Sequence, residues 1–319
     1  MIKLIPWVGS KTPLLWAIQS LLPVHFRKFV DVFGGSGTVT LNLQLPKNCL
    51  QIYNDLDHDL YNLLYCTRNK TLALTRELGF LPDNSRDTFD EVCRFLKMEE
   101  YGDRDLEEEL ALAKVLFDKP QAEEISRLLL QRSVPPDVRR AAAYYKMIRY
   151  SFNGQGNNYA VASCDIRQFF HQIWEASRRL KDVVLENRDF ESIIKKNKEP
   201  QTVLYCDPPY YKAERCYDVE FPRSDHQRLH DVLIVHKGFF MVSYNYCDFI
   251  KELYKECFIY YLERPNSQSR KKDSVYEECI ITNYDPRVFA RQITMYGDFG
   301  RDDRVCKLVH IPDHPLKVE

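Results

Sequence analysis

The stretch "LYCDPPYYK", Leu204 to Lys212, sets an acid, two prolines and two tyrosines at the end of a hydrophobic run. Val203, Leu204 and Tyr205 read as the close of a buried strand, and Asp207-Pro208-Pro209 stops it. Proline fixes φ and has no N–H, so the turn is stiff and its carbonyls are free to accept. A carboxylate, an unpaired carbonyl and aromatic faces are thereby held together at a strand's carboxyl end, where open α/β sheets bind their ligands. Asp-Pro-Pro is also an ordinary strand stop, and these residues alone leave both readings open.

A second stretch bears on the choice. "FGGSG", Phe33 to Gly37, follows a strand-like run and precedes a helix-like one. Glycines there let the backbone approach a ligand, and the helix N-terminus favours polar or negative groups. The G-x-G-x-x-G spacing and the Lys-Ser/Thr ending of phosphate loops are missing, which points to a nucleoside rather than a phosphate. About twenty residues on, the next strand ends at Asn54-Asp55, the position of an acid that binds ribose hydroxyls in nucleotide-binding α/β folds. Asp57 and Asp59 compete for that role, with helix capping as their alternative.

The elements that must position these residues follow from the pattern. "KFVDVFGGSGTVTLNL" and "CLQIYNDLDHDLYNLLYCTRN" each read as strand, turn and helix, a β-α-β-α opening that predicts a parallel sheet. From Thr71 to Arg149 strand character is lost, and "LEEELALAKVLF" and "AEEISRLLLQR" carry helical spacing. Alternation returns with "DVVLENRDF", "TVLYCDPPYY" and "GFFMVSYN" as strands, and with "SDHQRLHDVLIVHK" and "CDFIKELYKE" as helices. "FIYYLERPN" and "YEECIITNY" predict a closing antiparallel hairpin, followed by a tail, "IPDHPLKVE".

Composition bounds the partners. The 319 residues are 45% hydrophobic and 29% charged, as in water-soluble globular chains, and no run reaches the length of a membrane span. The N-terminal residues carry no signal-peptide pattern, and ten cysteines without a C-x-x-C pair fit a reducing, cytoplasmic setting rather than a zinc ribbon or disulfide framework. His226 and His230 stand four apart without a third ligand, so no metal is expected, and Cys206 reads as a small buried residue. The net charge of −1 is uninformative, but residues 99–124 are acidic, while 127–149 and Arg270-Lys271-Lys272 are basic. A polyanion would use the two basic segments.

The order "FGGSG", "NDLD", an insertion, then "CDPPYY" resembles the Dam-type DNA adenine-N6 methyltransferases. "PWVGSKTPLL" is similar to that family's N-terminal W-x-G-G-K segment, with Ser10 for the second glycine, and "DVFGGSGTV" to its P-F-x-G-x-G motif, with Val32 for proline. "YYKMIRYSFNG", "LENRDF", "VSYN" and "SQSRKKDSVYEECIITNY" resemble further family stretches, whereas residues 80–143 do not match. The resemblance implies an α/β fold: a Rossmann-like sheet for S-adenosylmethionine-dependent methyl transfer, in residues 1–70 and 145–319. A mostly helical target-recognition insertion would occupy residues 71–144.

Roles implied by the resemblance follow residue by residue. Trp7 and Lys11 would cover S-adenosylmethionine, with Gly9 allowing close approach; Phe33, Gly35 and Gly37 would line its methionine and ribose side. Asp55 would hold the ribose hydroxyls, Asp189 the adenine amino group of the cofactor, and Phe190 would lie beside that ring. Asp207, Pro208, Pro209 and Tyr210 would hold a flipped-out adenine of double-stranded DNA. Arg139, Arg140, Arg149, Arg270, Lys271 and Lys272 would meet phosphates, offsetting the cost of flipping. S-adenosylhomocysteine would be the second product, without a metal or a membrane. The implied setting is the cytoplasm of a bacterial or phage-infected cell, with room for a cognate restriction endonuclease. Rival readings are the same pocket serving RNA adenine or cytosine N4, and a non-catalytic nucleic-acid-binding protein that keeps the fold.

Overall fold

The computed structural model describes residues 1–81, 84–97, 106–132, 137–160, 164–211, 221–265, 275–290, 299–301, 304–316 and 318. The chain divides into two compact units, one of Met1–Tyr61 with Arg179–Glu319 and one of Asn62–Arg178.

Among the described residues the first unit holds a nine-stranded sheet: β1 (Lys28–Asp31), β2 (Leu50–Asn54), β3 (Val183–Glu186), β4 (Thr202–Cys206), β5 (Phe239–Asn245), β6 (Phe258–Pro265), β7 (Val275–Thr282), β8 (Phe299–Arg301) and β9 (Arg304–His310). The order is β3-β2-β1-β4-β5-β7-β6-β9-β8. The first five strands pair in parallel, while β7 runs antiparallel to both β5 and β6. Strand order reverses between β1 and β4, and the crevice outside their carboxyl ends is the switch point where doubly wound folds bind ligands. Rossmann-like S-adenosylmethionine-dependent methyltransferases have this architecture.

Period-two alternation explains how the sheet is covered on both faces. Phe29, Val203, Tyr205, Phe239 and Met241 pack with Ala17, Ile18 and Leu21 of the helix Leu15–Leu21. Val30, Leu204, Cys206, Phe240 and Val242 point the other way, to Ile193 and Ile194 of the helix Phe190–Lys196 and Leu229 and Leu233 of the helix Arg223–Ile234. The expected β6–β7 hairpin is present. The β8–β9 pair beyond it, with β9 adding to the free edge of β6, went unread in the sequence. Its three-residue first strand sits among charges that mask alternation.

The second unit is helical among its described residues. The helix Val138–Tyr150 packs on Thr71–Leu78 and Arg86–Leu96, and Leu106–Leu116 pairs with Lys119–Arg132. Asp137 caps the first of these by accepting from the Arg139 N–H at 2.8 Å, and Ser85 caps Arg86–Leu96 through the Thr88 N–H. Leu74, Leu78, Phe89, Ala142, Tyr145 and Ile148 are among its buried residues. No helix among the described residues is long and apolar enough to cross a membrane.

Candidate active site

The glycine turn joins β1 to the helix Thr38–Asn42. Gly35 and Gly37 take φ of 52° and 72°, a region that L side chains enter only under strain. Gly34 is required for another reason: a Cβ there would lie 2.1 Å from the Tyr53 ring. Tyr53 donates its hydroxyl to the Gly35 carbonyl at 2.8 Å, and the Asp55 carboxylate accepts from the Gly35 N–H at 2.8 Å. The end of β2 therefore holds the turn from both its polar sides.

The three competing acids after β2 separate cleanly. Asp55 faces the glycine turn, whereas Asp57 caps the following helix by accepting from the Asp59 and Leu60 N–H groups. Asp59 lies in that helix's first turn.

The N-terminal segment lies over this turn. Trp7 Nε1 is 3.2 Å from where a Cβ on Gly35 would sit, and Ser10 reaches Thr38 by a hydroxyl–hydroxyl contact of 3.1 Å. Gly9 has φ of 76°, and its carbonyl accepts from Lys11 Nζ at 2.9 Å. The same ammonium lies 2.7 Å from the Asp207 carboxylate and 4.8 Å from the centre of the Tyr210 ring. Lys11, Asp207 and Tyr210 thus meet outside β4, beside the glycine turn.

The proline turn is anchored from β5 and β7. Asn245 donates to the Tyr211 carbonyl at 3.1 Å, and the Tyr210 hydroxyl donates to Glu278 at 3.1 Å. Glu278 is 2% exposed and also pairs with Arg264. Pro208 is buried and Pro209 half-buried. One Asp207 oxygen, Oδ1, is buried with no hydrogen-bond partner among the described residues.

On the other side, Asp189 caps the helix Phe190–Lys196 through the Glu191 N–H and pairs with Arg228 at 2.8 Å. Phe190 is buried and stacks on Phe33 with centroids 5.5 Å apart, and the Arg228 guanidinium lies 4.2 Å from the Phe190 ring centre.

Burial dominates the electrostatics. It raises Asp207 to about 6, against the pull of Lys11. Asp55 rises to about 6 for the same reason, held back by the Asp57 and Gly35 N–H groups. Asp31, at the end of β1, rises to about 7 through burial, with the charges of Asp207 and Asp55 adding to the effect; Thr40 donates to it at 2.7 Å.

The basic residues differ in setting. Arg139 is exposed on the helix Val138–Tyr150, and Arg140 is half-buried. Arg149 is packed, with its guanidinium 3.8 Å from the Phe169 ring centre and a hydrogen bond to Gln172. Arg270, Lys271 and Lys272 lie outside the described residues. His226 is bound to the Tyr244 hydroxyl at 2.8 Å, and His230 to Glu256 at 2.7 Å, so both have protein partners.

Asp31, Gly34, Tyr53, Asn245, Arg264 and Glu278 were missed in the sequence. One carried a signal: Asp31 interrupts the apolar run "KFVDVF". The others depend on strands distant in sequence.

Two comparisons bear on this geometry. The profile of the family described as D12 class N6 adenine-specific DNA methyltransferase matches residues 7–268. A Type II methyltransferase, M1.LlaDCHI of Lactococcus lactis subsp. cremoris, is 26% identical over 301 residues, which is 87% of this chain and 94% of the relative.

Proposed function

Since the chain belongs to the D12 class N6 adenine-specific DNA methyltransferases, we propose that Asp207, Pro208, Pro209 and Tyr210 form the pocket for a flipped-out adenine of double-stranded DNA. The observation that carries this reading is the buried Asp207 oxygen, unpartnered among the described residues, beside Lys11, Tyr210 and the glycine turn.

An adenine amino nitrogen is a poor nucleophile because its lone pair is delocalised into the ring. The Asp207 carboxylate and the Pro208 carbonyl accept its two N–H bonds, favour a more tetrahedral nitrogen and stabilise the positive charge that grows there. The two prolines hold both acceptors in place before the base arrives. Lys11 keeps Asp207 ionised, and the Tyr210 ring offers a face for stacking. After transfer the nitrogen is acidic enough to release its proton without a strong base.

S-adenosylmethionine, when bound, supplies a methyl group on a positively charged sulfur. The residues fit such a group. The glycine turn forms a backbone cradle beside Trp7: at Gly35 a Cβ would come within 3.2 Å of the indole nitrogen, and Gly9, Gly35 and Gly37 all take positive φ. Asp55, turned to the cradle, suits ribose hydroxyls. Asp189 suits the cofactor's adenine amino group, with Phe190 beside that ring.

The helical unit, with residues 71–144 at its heart, is proposed to read the target sequence, and Arg139 and Arg140 to meet phosphate. The relative's description as a Type II methyltransferase supports a role beside a restriction endonuclease, in the cytoplasm of a bacterial or phage-infected cell. Expression in a host lacking adenine methylation, followed by single-molecule sequencing of its DNA, tests the reading. N6-methyladenine in one short motif, absent with Asp207→Ala, is expected. Unmodified DNA from a folded protein that binds S-adenosylmethionine would overturn it.

A further inference from the structure

The proposed pocket is supported by a charge pair on the antiparallel hairpin, far in sequence from the Asp207–Tyr210 turn that it holds. Glu278 lies on β7 opposite Asn245 of β5 and Leu262 of β6. This register puts Glu278 and Asn245 side by side behind the proline turn. Asn245 takes the Tyr211 carbonyl and Glu278 takes the Tyr210 hydroxyl, so consecutive residues of the turn are held from adjacent strands.

Glu278 is itself fixed. Arg264, two positions along β6 from Leu262, pairs with its carboxylate, and the Arg264 guanidinium lies 4.3 Å from the Tyr276 ring centre. A carboxylate 2% exposed needs such a partner, because a buried charge without one is strongly unfavourable. An ion pair kept at that cost behind an aromatic hydroxyl does more than fill space. It fixes the hydroxyl at the tip of the ring on which the base would stack.

Resting on the reading above, we infer that Glu278 is a positioning residue of the target-base pocket: oriented by Arg264, it holds the Tyr210 hydroxyl and so sets the ring for stacking. The Tyr210 hydroxyl is then committed to the protein, and the ring serves the base with its face alone.

The test compares the full-length enzyme with Glu278→Ala, Tyr210→Phe and the double variant. Methyl transfer to unmethylated bacterial genomic DNA at saturating S-adenosylmethionine gives kcat and KM for DNA, and calorimetry gives cofactor affinity. Each single variant is expected to lose about 10- to 100-fold in kcat, the scale of a slightly misplaced substrate-positioning group. Cofactor affinity should stay within about 2-fold, and the double variant should be no worse than the poorer single one, since both remove the same contact. Losses that multiply in the double variant would overturn the inference, as would wild-type kcat in either single variant. Loss of cofactor binding alongside activity would overturn it too, by showing collapse of the sheet edge. Should Glu278→Ala fail to fold, Tyr210→Phe decides alone, because it removes the hydrogen bond and leaves the ion pair intact. An inactive parent enzyme would overturn the pocket assignment and this inference together; an active parent with an inert Asp207→Ala leaves the pocket standing whatever the cycle gives.

Discussion

Lys11 Nζ and an Asp207 oxygen lie 2.7 Å apart, joining the N-terminal segment to the turn after β4. The two residues are far apart in sequence, yet the contact offsets part of the effect of burial on the acceptor on which the proposed chemistry rests. Burial alone would favour a neutral carboxyl at Asp207, and the ammonium opposes that.

The acid limb of activity follows. Asp207 accepts an N–H as a carboxylate, and its folded value of about 6 means that kcat/KM for DNA falls as pH drops through about 6. Lys11→Met removes a charge that lowers this value, so the limb should move to higher pH. A pH profile of methyl transfer for both enzymes checks it; an unmoved limb in Lys11→Met would assign the titration elsewhere.

Asp207→Asn keeps the shape of the turn and removes the charge. A loss of about 10²–10³ in kcat is expected, the scale for one preorganised transition-state acceptor or donor. S-adenosylmethionine affinity should be unchanged by calorimetry.

Asp31 makes stability depend on pH. Its folded value of about 7 stands above the ordinary carboxylate value of about 4, so between those limits the folded chain holds a proton that the unfolded chain has released. Stability from this group is full at low pH and is lost as pH rises through about 7. Asp31→Asn, which can still accept from Thr40, should therefore raise Tm at pH 8 by about 2–4 °C, the shift that ~1 kcal/mol gives. At pH 5 the gain should be smaller.

Gly34→Ala places a methyl group 2.1 Å from the Tyr53 ring. Overpacking of this kind costs about 1–3 kcal/mol. Because Tyr53 also holds the Gly35 carbonyl, cofactor affinity should fall with stability. Trimming the ring in a Gly34→Ala/Tyr53→Leu variant should recover stability more than affinity.

Arg139 and Arg149 share a helix but not a setting. Arg139→Ala, at an exposed site, should lower the slope of log affinity for duplex DNA against log salt by about 0.9 with Tm unchanged, as for one lost phosphate contact. Arg149→Ala should instead cost about 0.5–2 kcal/mol, from a guanidinium packed on Phe169. Salt titrations and melting curves on both variants separate the two.

Much of the sheet-bearing unit was legible in the sequence because its signals are local. The β-α-β-α opening, the glycine turn, the strand running into Asp207 and the β6–β7 hairpin each declare themselves within about twenty residues through alternation, glycine and proline. These features fixed the fold class and named Asp207, Tyr210, Gly35 and Asp55.

What the tertiary structure alone decided is which distant side chains meet. Strand order put β1 beside β4, bringing Asp31 within electrostatic reach of the proline turn, and the β5–β7 register put Glu278 beside Asn245. It also divided the three acids after β2 between turn and helix cap. A residue's sequence neighbours fix its backbone, whereas its partner across a sheet depends on strand order and register. Those are set by burying whole faces together, which no short stretch encodes.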